Sequence, residues 1–66
     1  MEVLTPRERE VLELTALGHE DKQIAHELGI SPRTVREYQQ HLREKSHSVN
    51  KVQVVCWGIR QGLVQP

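Results

Sequence analysis

The 66-residue chain has a single cysteine, Cys56, no phenylalanine, and only two aromatic side chains, Tyr38 and Trp57. A lone cysteine closes no internal disulfide, so nothing in the chain calls for an oxidising compartment, and the expected setting is the cytoplasm. With so few aromatics the core has to be built from aliphatic layers, and the abundance of helix formers favours an all-α fold over a sheet. No apolar run approaches the roughly 20 residues that span a bilayer, and no signal-peptide pattern precedes the first helix, so no membrane partner is expected. The four histidines and Cys56 show no His-x-x-x-His or Cys-x-x-Cys spacing. A metal centre, a cofactor and an enzyme are therefore not expected.

Net charge is also missing, since nine basic residues balance nine acidic ones. The balance hides an asymmetry. Residues 1–30 carry three basic and seven acidic side chains, residues 31–66 six basic and two acidic. Nucleic-acid binding needs a basic face and not a basic total, so the second half is where such a face would lie. A chain this short buries only about 60% of its unfolded surface. It is read as one domain over 1–66, too small for a large substrate pocket.

Four helices are legible from their ends. Thr5-Pro6-Arg7-Glu8 is a capping box with proline at the first helical position, Val11, Leu12, Leu14 and Leu17 supply an apolar stripe, and Gly18 is a stop. A short second helix is expected from Asp21 to Leu28, with Ile24, Ala25 and Leu28 as its buried side and Gly29 as its stop. Ser31-Pro32 restarts a third helix, Ser as cap and Pro as first residue, which continues to Lys45 or Ser46. Asn50-Lys51-Val52-Gln53 opens a fourth in the same way, and Gly62 ends it.

Only three residues separate the second and third helices, which forces a sharp corner. Counted from Asp21, Ala25 falls fifth, Gly29 ninth, Val35 fifteenth and Tyr38 eighteenth. A small residue lets the helices cross closely, a glycine takes the positive φ of the corner, and Ile24, Leu28, Ile30 and Val35 fill the space between them. This is a helix-turn-helix pattern. An ordinary αα-hairpin with a glycine stop would share part of it, but the third helix adds a second feature. At about 100° per residue, Val35, Tyr38, Gln39 and Leu42 fall on one side and Arg33, Arg36, Glu37, Gln40 and Glu44 on the other.

The stretches Leu4-Thr5-Pro6-Arg7-Glu8-Arg9-Glu10-Val11-Leu12 and Lys22-Gln23-Ile24-Ala25-His26-Glu27-Leu28-Gly29-Ile30-Ser31-Pro32-Arg33-Thr34-Val35-Arg36 resemble the LuxR/GerE-type (FixJ/NarL-type) DNA-binding domain of bacterial transcription regulators. The resemblance implies sequence-specific binding of duplex DNA, usually as a homodimer on a two-fold-related site, with the third helix in the major groove. It places Arg36, Glu37 and Gln40 at base-reading positions and Lys22, Arg33 and Thr34 where phosphates are held. Side-chain chemistry agrees: Arg pairs with guanine, Gln with adenine, and Glu accepts from cytosine N4. Glu37 read as a solvated surface charge is the alternative. Arg43, Lys45 and Lys51 are supporting phosphate candidates, since helix amino ends and nearby cations favour anions.

On the fourth helix, Val52, Val55, Cys56, Ile59 and Leu63 project within about a 100° arc, read as the packing side. Val54, Trp57, Gly58 and Gln61 are left over on the opposite side and are expected to form the dimer contact, as this helix often does in the resembled family. Trp57 folded back over its own core is the other reading. RNA polymerase or another regulator is a further candidate partner.

One stretch departs from the resembled pattern. Gln39, Arg43, Ser46 and His47 stand where apolar residues and a Leu-Gly end are usual. Two alternatives to a DNA-reading regulator follow: a sigma-region-4-like promoter-binding module, which commonly ends soon after its recognition helix, and an adaptor that kept the scaffold without DNA binding.

Overall fold

A computed structural model describes residues 4–65; the ends of the expected 1–66 span, residues 1–3 and 66, lie outside the described residues. The chain forms α1 (Pro6–Ala16), α2 (Asp21–Leu28), α3 (Pro32–Ser46) and α4 (Lys51–Arg60), with no strand among the described residues. The principal extents are 28 × 21 × 21 Å.

Local chemistry sets each boundary. Thr5 Oγ1 accepts the Glu8 N–H at 3.2 Å while the Glu8 carboxylate accepts the Thr5 N–H at 2.9 Å, a complete capping box. Beyond α2, Gly29 takes φ +66°, and the Ile30 N–H returns to the Ala25 carbonyl at 3.0 Å. This turns the chain within three residues. Ser31 Oγ accepts the Thr34 N–H at 3.1 Å to start α3. Asn50 caps α4 through the Gln53 N–H at 2.9 Å, but the Gln53 side chain reaches one residue further back than expected and accepts from the Val49 N–H.

The core is Val11, Leu12, Ile24, Ala25, Val35, Leu42 and Val54, with Leu14, Leu28, Ile30, Tyr38 and Trp57 packed at its edge. The third helix lies at the centre, against each of the other three. Burying its inner face against three elements leaves its opposite face in water, so burial itself selects the presented ridge.

The fourth helix faces the other way from expectation. Val54 is 0% exposed, Gly58 is buried and Trp57 packs half-buried against the core, whereas Val52 is 72% exposed and Cys56 is exposed. Two physical reasons account for the reversal. A Cβ built on Gly58 would lie 3.1 Å from Leu12 Cδ2 and 3.2 Å from Val64 Cγ2, so this glycine lets α4 approach Leu12 and Val64 closely. Leu63 is not helical: α4 ends at Arg60, and Gly62 at φ +72° turns the chain so that Leu63 and Val64 reach the core from a separate segment. Without Leu63 the apolar arc on the other side shortens, and Val54 with Trp57 supplies the buried surface. Of the expected contact set, Gln61 alone is exposed.

Candidate nucleic-acid interface

The ridge presented by α3 is polar from Arg33 to Glu44. Arg33, Arg36, Glu37, Gln40 and Glu44 are all exposed, on the side opposite buried Val35, Gln39 and Leu42. Arg36, Glu37 and Gln40 make no hydrogen bond or ion pair among the described residues, so their polar atoms are available to a ligand. One turn of helix brings Arg36 and Gln40 onto the same line, with Glu37 between them and Arg33 one turn earlier.

Thr34 is half-buried, its hydroxyl 2.9 Å from Ser31 Oγ at the amino end of α3. Lys22 is exposed in the first turn of α2. Lys22 and Thr34 thus stand in the first turns of α2 and α3, at the positive ends of those helix dipoles, which favour anions.

The remaining candidate cations divide differently. Lys45 Nζ lies 2.7 Å from Glu8 Oε1, and Lys51 Nζ lies 2.9 Å from Asp21 Oδ1. Both pair with carboxylates of this chain, with the Lys51 side chain still 44% exposed. Arg43 is half-buried on the flank of α3. What sequence reasoning missed at Lys45 is that Glu8 serves two tasks. Its side chain is 5% exposed, caps α1 and also receives Lys45, with His41 Nδ1 at 3.6 Å from its second oxygen. Burial pushes the Glu8 carboxyl up, but the bonds from Lys45 and from the Thr5 N–H outweigh it and hold the group below its ordinary value. This ties the start of α1 to the far half of α3.

The atypical stretch proves to be ordered by polar bonds. Gln39 is 2% exposed and bonded to α1 and α2, Ser46 donates to the Leu42 carbonyl at 2.6 Å, and His47 takes the left-handed φ of 55° that a glycine would hold more cheaply.

Residues 2–58 match the sequence pattern of bacterial regulatory proteins, luxR family. The chain belongs to the luxR family. Among curated relatives, 59 residues are 46% identical to the transcriptional regulatory protein DesR of Bacillus subtilis, covering 89% of this chain and 30% of that protein. The regulatory protein SdiA of Escherichia coli is 38% identical over 68 residues, covering 94% of this chain and 28% of SdiA. The chain thus spans under a third of these luxR-family proteins. Among solved structures, the transcription factor GerE superposes with a TM-score of 0.91 at 29% identity, covering 98% of this chain and 97% of that one. The VqmA dimer of Vibrio cholerae gives 0.92 at 37% identity, covering all of this chain and 31% of VqmA. The four-helix fold is accordingly that of the helix-turn-helix DNA-binding domain of luxR-family transcription regulators, and these relatives are regulators, not enzymes.

Proposed function

We propose that the domain binds duplex DNA sequence-specifically, with α3 in the major groove and Arg36, Glu37 and Gln40 reading base edges. The observation that carries this is the unpartnered polar ridge on a helix held from behind on three sides. An α-helix fits the major groove, and a rigid backing fixes where its side chains reach. Lys22, Arg33 and Thr34, grouped around the amino ends of α2 and α3, hold phosphates and set the register. Glu37 is assigned to cytosine because it lies between two candidate readers and pairs with neither.

A homodimer through α4 belongs to the same reading, with the contact moved to the side where Val52 and Cys56 are exposed and Val55 and Ile59 half-buried. Val52 and Cys56 are one turn apart and exposed, which makes an apolar stripe suited to a symmetric contact. Two ridges would then enter successive major grooves, roughly 34 Å apart. The likeness to the VqmA dimer supports this. No helix among the described residues is long and apolar enough to cross a membrane, and action in the cytoplasm, with RNA polymerase or another regulator as further partner, completes the proposal.

In vitro selection from a random duplex pool tests it, because enrichment yields the motif and the half-site spacing together. Arg36→Ala is expected to weaken the selected site by about 1–3 kcal/mol and relax one base position. Arg33→Ala is expected to weaken all sequences alike and reduce the salt slope by about one. Failure to enrich any sequence at low salt would favour the adaptor reading.

A further inference from the structure

The reading helix carries a buried amide at a position where an aliphatic side chain would pack as well. Gln39 lies on the inner side of α3 between Val35 and Leu42 and is 2% exposed. Its Nε2 donates to Thr15 Oγ1 of α1 at 2.8 Å and to Asp21 Oδ1 of α2 at 3.4 Å. The chemistry dictates this orientation. The Thr15 hydroxyl donates its only hydrogen to the Val11 carbonyl at 2.8 Å, and an ionised carboxylate has none to give, so both partners require the –NH2 end. Asp21 Oδ1 also receives Lys51 Nζ from α4. One amide in the middle of α3 is thereby joined to side chains from each of the other three helices.

This arrangement is not the one packing alone would choose. Gln39 Oε1 is buried without a hydrogen-bond partner among the described residues, a penalty that a leucine of similar size avoids. What the amide adds is direction. Apolar contacts are non-directional and tolerate a small roll of one helix against another, whereas a hydrogen bond weakens steeply away from its preferred geometry. Side chains reach about 5–6 Å from a helix axis, so a roll of about 10° moves their tips by about 1 Å, enough to break a bidentate base contact.

We infer that Gln39 is a positioning residue for DNA reading: by bonding Thr15 and Asp21 it fixes the roll of α3 and so aims Arg36, Glu37 and Gln40, an assignment that rests on the DNA-binding function proposed above. It touches no base itself. Lys51, through Asp21, extends the same restraint to the first turn of α4.

The test uses Gln39→Leu, Thr15→Val and the double variant, each bound to the selected duplex and to duplexes with one base pair of the motif changed. Thermal unfolding and the salt slope are measured alongside. Gln39→Leu is expected to melt at or above the wild type and keep its salt slope, while discrimination against changed duplexes falls about fivefold, the lower limit for one base contact. Thr15→Val removes the main acceptor from a site remote from the ridge and is expected to give a similar loss, and the double variant no more than either alone. Unchanged discrimination in both single variants, a parallel loss of affinity for every duplex, or additive losses would each overturn the inference. If Gln39→Leu does not fold, Thr15→Val decides alone. A wild type that enriches no sequence refutes DNA reading itself, and with it this role; a wild type that selects a motif beside variants that discriminate equally well refutes the positioning role only.

Discussion

Val52 and Val54 stand two residues apart on α4, chemically identical, and the fold puts them on opposite faces at 72% and 0% exposure. Truncating each to alanine removes the same two methyl groups with different consequences. At Val54 the lost transfer energy is about 1.6 kcal/mol, at roughly 0.8 kcal/mol per buried carbon. The space left behind adds about 1 kcal/mol at about 24 cal/mol per Å3 of cavity, while the better helix propensity of alanine returns about 0.5 kcal/mol. The sum, about 2 kcal/mol, corresponds in a domain of this size to a Tm lower by about 8–16 °C. At Val52 the propensity gain and the small loss of burial nearly cancel, so Tm stays within about 2 °C of the wild type. Thermal melts followed by circular dichroism check both, run dilute enough that the wild type sediments as a monomer, because dimer formation would add stability through Val52. A Val52→Ala variant as destabilised as Val54→Ala under those conditions would refute the assigned orientation of α4. At higher concentration the order reverses for assembly: Val52→Asp is expected to abolish the dimer, and with it cooperative binding to a two-fold site.

The Glu8 carboxyl is held below its ordinary value of 4.5 in the folded state, so its contribution is complete above that value and is lost as pH falls through the lower, folded one. Acid titration of stability is expected to show that loss, and Glu8→Gln is expected to flatten it while costing on the order of 2 kcal/mol at neutral pH, since the charged Glu8–Lys45 bond is lost where Glu8 is 5% exposed. Replacing His47 with glycine relieves a side chain held at φ 55° and is expected to raise stability by about 1 kcal/mol in denaturant titration. Gly29→Ala is the mirror experiment: a Cβ there meets nothing within 4 Å, so the expected loss of about 1 kcal/mol is backbone strain at φ +66° alone.

These perturbations separate what local chemistry encodes from what packing decides. Helix ends were legible because a cap is a bond between residues three apart: Thr5 with Glu8, Ser31 with Thr34 and Asn50 with Gln53 form from neighbours in any fold that contains the helix. The corner at Gly29 was legible for the same reason, since its positive φ depends on the residue itself. The outward side of α3 followed from period because its inner stripe is apolar apart from Gln39 and Ser46 and its outer one is charged or polar throughout. On α4 the same method failed. Valines occur on both sides of that helix, Val54 beside Gly58 on one and Val52 with Val55 on the other, so periodicity offers two nearly equal arcs, and Leu63, beyond its end, tipped the choice wrongly.

The sequence by itself determined four helices with their boundaries, a tight helix-turn-helix corner and a polar ridge on the third helix, because each depends on backbone preference or on contacts within a few residues. Tertiary structure alone decided which side of α4 is buried, that Lys45 and Lys51 are taken up by Glu8 and Asp21 across gaps of 37 and 30 residues, and that Gln39 is bonded where an aliphatic residue is usual. Long-range partners are set by how four apolar stripes fill one small volume, and no local spacing carries that information.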